Sequence, residues 1–114
     1  MIDRTRFNEA FQYYDKEVII EVIGLFITDY PQRLADLRRS IDENDLYSMV
    51  LQAHSLKGLA GTFVASVPQE IAGTMEEMGK RTETAGLSEL CSRLESALHE
   101  LAGDLKVIRE ELES

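Results

Sequence analysis

Hydrophobic residues recur at intervals of three and four positions along most of the chain, which is the spacing of one face of an α-helix. The clearest stripe lies near the C-terminus and contains Leu87, Leu90, Leu94, Ala97, Leu101, Leu105, Ile108 and Leu112. A second stripe runs from Ile19 to Ile41 and keeps its phase across Pro31. It predicts one long helix over roughly residues 16–43, kinked near Pro31, with two helices meeting there as the alternative.

Two shorter stripes occupy the middle of the chain, over 46–63 and 71–78. A short helix is also expected over 3–13, where Phe7 and Phe11 form an apolar pair. Four main amphipathic helices with short connections predict an all-α fold. We expect an antiparallel four-helix bundle with a short extra N-terminal helix, built as one domain over residues 1–114.

Several polar residues at the borders of the stripes indicate helix ends. Asn44 can adopt the left-handed conformation that stops a helix, and Asp45 can cap the helix that follows. Serine is a preferred N-cap, so Ser66 is expected to open a capping box and Ser88 to start the last helix.

The composition excludes several kinds of partner and location for this chain. The chain has 114 residues with 12 Lys and Arg against 21 Asp and Glu, so its formal net charge is −9. This balance argues against a nucleic-acid or anionic-membrane partner, because both need a basic face. The single cysteine, Cys91, cannot form an internal disulfide. The longest apolar run, 18–27, is shorter than the roughly 18 residues that suggest a membrane span, and no signal sequence opens the chain. We therefore expect a cytoplasmic protein.

The stripe over 46–63 also contains a histidine on the flank of its helix. On a helical wheel, His54 lies about 120° from the centre of the apolar stripe. Lys57 and Gly58 follow it by one turn, and Gly61 is close to it on the wheel. Each glycine costs a helix about 1 kcal/mol relative to alanine, so the pair favours a need for open space beside the imidazole.

The charge around this histidine is unusual, because Lys57 is the only Lys or Arg between Arg39 and Lys80. One cation beside an exposed imidazole indicates that an anion arrives there. Phosphoryl is the anion that an unprotonated imidazole nitrogen can accept. The alternative is structural: a histidine on a helix flank is usually a surface residue, and glycines can simply permit close helix packing.

The run Ala53-His54-Ser55-Leu56-Lys57-Gly58-x-x-Gly61 resembles the signature of histidine-containing phosphotransfer (HPt) domains, which are helical bundles that relay phosphoryl groups in two-component signalling. The resemblance covers nearly the whole chain. Its further features, in the family's order, are Phe26, Pro31, Leu34, Leu37, Asp45 and Leu46 before the motif and Ala65, Ile71, Ala72, Met75 and Glu76 after it.

The resemblance implies a role for each site residue. His54 would accept the phosphoryl group on Nε2, Lys57 would help to position or neutralise the phosphoryl oxygens, and Gly58 would leave room for them. Glu76 would accept a hydrogen bond from Nδ1–H and fix the tautomer. Without the resemblance, a solvated carboxylate would be expected at this position. The docking face for a partner would include Leu51, Ser55 and Gly61.

Three positions depart from the family pattern. Val64 stands where many members have glycine, Leu59 is large where small residues are common, and Pro68 replaces the usual apolar residue. They lie at the helix end and the turn after it, so they concern partner fit and the local backbone more than phosphotransfer.

The expected function is therefore that of a phosphorelay intermediate, which accepts a phosphoryl group from a receiver-domain phospho-aspartate and passes it to another receiver aspartate. It would be a phosphocarrier and not an enzyme, because no ATP-binding motif is present. It would need no cofactor of its own, since the receiver would supply Mg²⁺. Response-regulator receivers and a hybrid sensor histidine kinase are the expected partners of a monomer. The alternatives are a receiver-binding interaction module and a substrate domain phosphorylated directly by an ATP-dependent histidine kinase. The second histidine, His99, lies off the main apolar seam of the last helix and is expected to face solvent.

Overall fold

The computed structural model describes residues 2–114. Within this range the chain forms five α-helices and no β-strand, which confirms the all-α prediction. The helices are α1 (Arg4–Ala10), α2 (Lys16–Asp42), α3 (Leu46–Thr62), α4 (Ser66–Lys80) and α5 (Leu87–Glu113).

The long helix α2 is continuous through Pro31, so the single-helix prediction is confirmed over the two-helix alternative. A proline inside a helix removes one backbone hydrogen bond, and the packing of the neighbouring turns must compensate for it. Tyr30 and Leu34, on either side of Pro31, are both buried. The helix therefore packs into the core on both sides of the proline.

Three helices end in the same way, with a residue in the left-handed conformation. Asn44, Val64 and Thr82 have φ of 55°, 54° and 55°. At each end, this residue and the one after it donate backbone hydrogen bonds to carbonyls in the last helical turn, which is the Schellman motif. The left-handed conformation of Asn44 confirms the predicted end of α2. Val64 and Thr82 are β-branched, a side-chain type that rarely adopts positive φ.

The predicted helix starts are confirmed in one case and wrong in two. The side chain of Asp45 accepts a hydrogen bond from the backbone N–H of Ser48 at 3.1 Å, as expected of an N-cap. Ser66, however, is already helical, because the turn before α4 makes the buried Ala65 the capping residue. Ser88 also lies inside its helix, after Gly86 at φ 86°. Its hydroxyl instead accepts a hydrogen bond from Arg38 at 2.8 Å.

The four longer helices surround one core. Contacts join α2 to α3, α3 to α4, α4 to α5, and α2 to α5. The most extensive helix contact is between α3 and α4, and Gly79 of α4 has no side chain where Met49 and Val50 of α3 pack. This closeness allows a side chain of α4 to reach a residue on the flank of α3.

Aromatic rings fill one end of the core. Phe63 lies 5.4 Å from Phe26 and 6.1 Å from Phe11, measured between ring centroids. Burying each such ring contributes about 1.5–3 kcal/mol to stability. Helix α1 is further tied to α5 by an ion pair of 2.9 Å between Arg4 and Glu111.

No helix within residues 2–114 has the length and apolar character needed to cross a membrane.

Candidate functional site

His54 and Glu76 form the centre of the site. His54 projects from α3 with 67% of its side chain exposed, whereas Glu76 projects from α4 with only 5% exposed. The Nδ1 atom of His54 lies 2.8 Å from Oε2 of Glu76, which is hydrogen-bond distance. The two residues are 22 positions apart in the chain, and the close contact between α3 and α4 brings them together.

The buried carboxyl group of Glu76 is held ionised by cations. The Nζ atom of Lys57 lies 2.9 Å from Oε1. Hydrogen bonding to Lys57, followed by that to His54 and Lys80, outweighs burial and lowers the pKa of Glu76 from 4.5 to about 2. Glu76 is therefore a carboxylate at neutral pH, and it is not the solvated side chain expected from its charge alone.

The charge of Glu76 decides the tautomer of the neutral imidazole. A carboxylate can only accept hydrogen bonds, so Nδ1 of His54 must carry the proton. The other ring nitrogen, Nε2, then has a free lone pair on an exposed ring. Glu76 orients the ring through Nδ1, and Nε2 is left open as a nucleophile. This histidine is therefore able to attack an electrophile.

A second lysine belongs to this site, which corrects the expectation of a single placed cation. Lys80 lies one turn after Glu76 on α4, and its Nζ is 3.4 Å from Oε2, the same oxygen that His54 contacts. In the sequence, Lys80 marks only the end of a stretch without cations. Its spacing of four from Glu76 is the signal that could have identified it, since residues four apart share one face of a helix.

The glycines around His54 differ in what they do. A Cβ atom at Gly58 would meet nothing within 4 Å, so the surface there is open to another molecule. At Gly61, a Cβ would lie 3.0 Å from the side chain of Gln69 on α4. At Gly73, which no sequence motif singles out, it would lie 3.4 Å from Cδ of Lys57. Gly73 therefore gives Lys57 a path across α4 to Glu76.

The three predicted docking residues have different surroundings. Leu51 is half exposed, one turn before His54. Ser55 is partly buried, and its hydroxyl accepts a hydrogen bond from Arg33 of α2, which also pairs with Asp29. Gly61 is partly covered by α4, as described above. Leu51 therefore offers the most accessible side chain of the three. Arg33 adds a cation to this region that its distance in the chain from His54 conceals.

The second histidine lies in a different place and has a different partner. His99 on α5 is exposed, as predicted, and its Nδ1 atom is 2.7 Å from the hydroxyl of Tyr30 on α2. Across residues 2–114, no group of three or more His, Cys, Asp or Glu side chains is arranged to hold a metal ion. The ion pairs around His54 join one imidazole, one carboxylate and two ammonium groups.

Comparison with known protein families matches residues 21–106 to the family described as the Hpt domain. These residues include α3, α4, most of α2 and most of α5, and so all of the site described above. Comparisons with curated proteins and with solved structures give no match. The matched region covers most of the chain and contains the histidine, its carboxylate partner and both lysines, so this chain belongs to the Hpt domain family.

Proposed function

We propose that this chain is a phosphorelay intermediate, in which His54 takes a phosphoryl group from the phospho-aspartate of one receiver domain and passes it to the aspartate of another. Hpt domains are phosphocarrier modules that perform histidine-containing phosphotransfer in two-component signalling, and they interact with receiver domains and kinases. The observation that carries the proposal is the 2.8 Å contact between His54 Nδ1 and the ionised, buried Glu76.

The transfer follows from the state of the imidazole. The lone pair on Nε2 of His54 forms a bond to phosphorus while the phosphorus–oxygen bond of the phospho-aspartate breaks. The electron pair of that bond stays on the aspartate, which becomes a carboxylate. Little covalent chemistry is required of the protein, so positioning and electrostatic stabilisation supply the catalysis. Glu76 stabilises the positive charge that develops on the ring.

The surface around His54 is suited to a docked domain. Gly58 leaves space beside the ring, and Leu51 offers apolar area close to it. The receiver contributes Mg²⁺ and the groups around its aspartate, while this chain contributes an oriented nucleophile and the docking face with Leu51, Ser55 and Gly61. Lys57 supplies positive charge on the same side of the helix. A hybrid sensor histidine kinase is a further partner that fits this role.

The same proposal includes the finer architecture. The four contacting helix pairs close a ring, which supports an antiparallel four-helix bundle of α2 to α5 with α1 as a short extra helix at its N-terminus. One core cluster includes buried residues from all five helices, which supports a single domain over residues 1–114. One His54 site per chain requires only a monomer.

The test offers the protein two classes of phosphoryl donor side by side. One arm uses a panel of receiver domains carrying radiolabelled phosphate, and the other uses ATP-dependent histidine kinases with labelled ATP. We expect an acid-labile label from at least one receiver and transfer of that label onward to a second receiver. Label from kinases alone would favour a kinase substrate domain. No label from either class, together with receiver binding, would favour an interaction module.

A further inference from the structure

Two ammonium groups share the carboxylate of Glu76, and they are not equivalent. Lys57 lies 2.9 Å from Oε1 and has 38% of its side chain exposed. Lys80 lies 3.4 Å from Oε2 and has 53% exposed. An incoming phosphoryl group needs a cation near Nε2 of His54, so the question is which lysine is free to provide it. The inference below rests on the proposed function.

Lys57 stays beside Glu76 because it compensates the charge on a buried oxygen of that carboxylate. Oε1 is buried, and the Lys57 ammonium, 2.9 Å away, is the cation that compensates its charge. The stem of Lys57 also lies along α4, over the position where Gly73 lacks a side chain. If Lys57 moved to a phosphoryl group, it would leave a buried charged oxygen without compensation, which is strongly unfavourable.

Lys80 is free of this constraint. If it leaves Oε2, that oxygen keeps the 2.8 Å hydrogen bond from His54 Nδ1. Lys80 is also the more exposed of the two, and its other acidic neighbour, Glu77, is 3.8 Å away at the surface. Because Lys80 and His54 approach the same oxygen, the ammonium already lies beside the imidazole. Arg33 of α2, which reaches Ser55 next to His54, is occupied by Asp29 and Ser55.

We propose a division of labour between the two lysines. Lys80 is the mobile cation that leaves Glu76 and binds the phosphoryl oxygens on His54. Lys57 is a positioning residue that stays on Glu76 and acts through it on the imidazole. This assignment differs from the one implied by the HPt resemblance, in which Lys57 contacts the phosphoryl group.

The test uses the phosphoryl group itself as the probe, so no partner protein is required. The full chain is phosphorylated with phosphoramidate: Nε2 of His54 bonds to phosphorus, the phosphorus–nitrogen bond of the reagent breaks, and its electron pair leaves with ammonia. The second ionisation of the phosphoryl group, around pH 6 for phosphorylated side chains, is then followed by ³¹P NMR. A cation bound to the phosphoryl oxygens favours the dianion and lowers the pKa of the phosphoryl group.

We expect Lys80→Met to raise the phosphoryl pKa by about half a unit, the size expected of one exposed charge a few ångströms away. Lys80→Arg should restore the lower value. Lys57→Met should shift the phosphoryl pKa less, and Lys106→Met, which removes an exposed lysine of α5, should leave it unchanged.

Two results would overturn the assignment while leaving the proposed function intact. One is an unchanged phosphoryl pKa in Lys80→Met, and the other is a larger shift in Lys57→Met than in Lys80→Met. If Lys57→Met does not fold, the Lys80→Met and Lys80→Arg pair still decides the matter. A wild-type protein that takes no phosphoryl group on His54 would instead overturn the proposed function, and this inference with it.

Discussion

The two histidines of this protein occupy similar local sequences and yet have different chemistry. His54 is followed by Lys57 and Gly58, and His99 is followed at the same distances by Ala102 and Gly103. Both rings are exposed, both use Nδ1 in a hydrogen bond, and both glycines have open space where a side chain would be. Helix position and exposure alone therefore do not distinguish the two.

The hydrogen-bond partners of Nδ1 distinguish the two histidines. Glu76 is ionised and can only accept a hydrogen bond, so it fixes the proton on Nδ1 of His54. Tyr30 stays protonated, because burial and the charge of Glu95 raise the pKa of its hydroxyl group. A neutral hydroxyl can either donate to or accept from Nδ1 of His99, so it does not select a tautomer. Only His54 has a fixed nucleophilic nitrogen with cations beside it.

The largest effect expected is an all-or-none difference in labelling between the two histidines. His54→Gln should abolish acid-labile labelling by a phosphorylated receiver, because glutamine has no nucleophilic nitrogen. His99→Gln should be labelled like the wild type, and it serves as the matched control. Label that persists in His54→Gln, or is lost in His99→Gln, would reverse the site assignment.

The second largest effect expected is on the free energy of unfolding at low pH. It arises from Glu76, the partner of His54, and has no counterpart at His99. The pKa of Glu76 is about 2 in the folded chain against 4.5 ordinarily. Between pH 4.5 and about 2 the unfolded chain therefore binds a proton that the folded chain does not. Glu76 should contribute about 3 kcal/mol of stability above pH 4.5, lost as the pH falls towards 2.

Urea unfolding between pH 7 and 2.5 measures this loss, and Glu76→Gln, which has no titrating group there, is the comparison. The wild type should lose more stability than the variant over that interval. Parallel curves would show that Glu76 is not held ionised by its neighbours.

Removing the carboxylate should slow transfer without unfolding the chain. In Glu76→Ala the imidazole loses a charged hydrogen-bond partner, so both tautomers are populated and the developing ring charge is less stabilised. We expect phosphotransfer from a receiver to slow by about tenfold, while the helical circular dichroism stays as in the wild type. Glu76→Gln keeps a hydrogen-bond acceptor, so its transfer rate should lie between those of the wild type and Glu76→Ala. An unchanged rate in Glu76→Ala would remove the role assigned to this residue.

Gly58 and Gly103 lie at the same distance after the two histidines, so replacing each of them tests the effects on stability and on docking separately. Replacing Gly58 or Gly103 with alanine should stabilise the chain by about 0.5–1 kcal/mol in each case, because neither methyl group would meet another atom. Only Gly58→Ala should slow transfer from a receiver, since only that methyl would occupy the space beside His54. Equal transfer rates in the two variants would mean that the open surface at Gly58 is not used.

The smallest effect concerns the turn that joins the two site helices. Val64 adopts a left-handed conformation that costs a β-branched residue about 1–2 kcal/mol. Glycine removes that strain but loses more entropy on folding. Thermal unfolding should therefore show Val64→Gly to be more stable by about 0.5 kcal/mol. Asn44→Gly, at the matching turn before α3, should change stability less, because asparagine tolerates positive φ.

Much of the fold could be read from the chain, because burial of an apolar face imposes a period of three and four on every long helix. The stripe from Ile19 to Ile41 gave the correct continuous helix, and Asn44 and Asp45 gave a correct boundary. The starts at Ser66 and Ser88 were predicted wrongly. In both cases the preceding turn sets the start, through Ala65 in the Schellman motif before α4 and through Gly86 in the left-handed conformation before α5.

By itself, the sequence determined the helices, the exposed position of His54 on one of them, and the family signature around it. Those features depend on residues within a turn or two of each other. Only the tertiary structure decided that Glu76 is buried and ionised, that Lys80 shares its oxygen with His54, and that His99 faces a tyrosine 69 residues away. The pKa of a carboxyl group and the tautomer of an imidazole depend on burial and on neighbouring charges, and both arise only when α3 and α4 pack together.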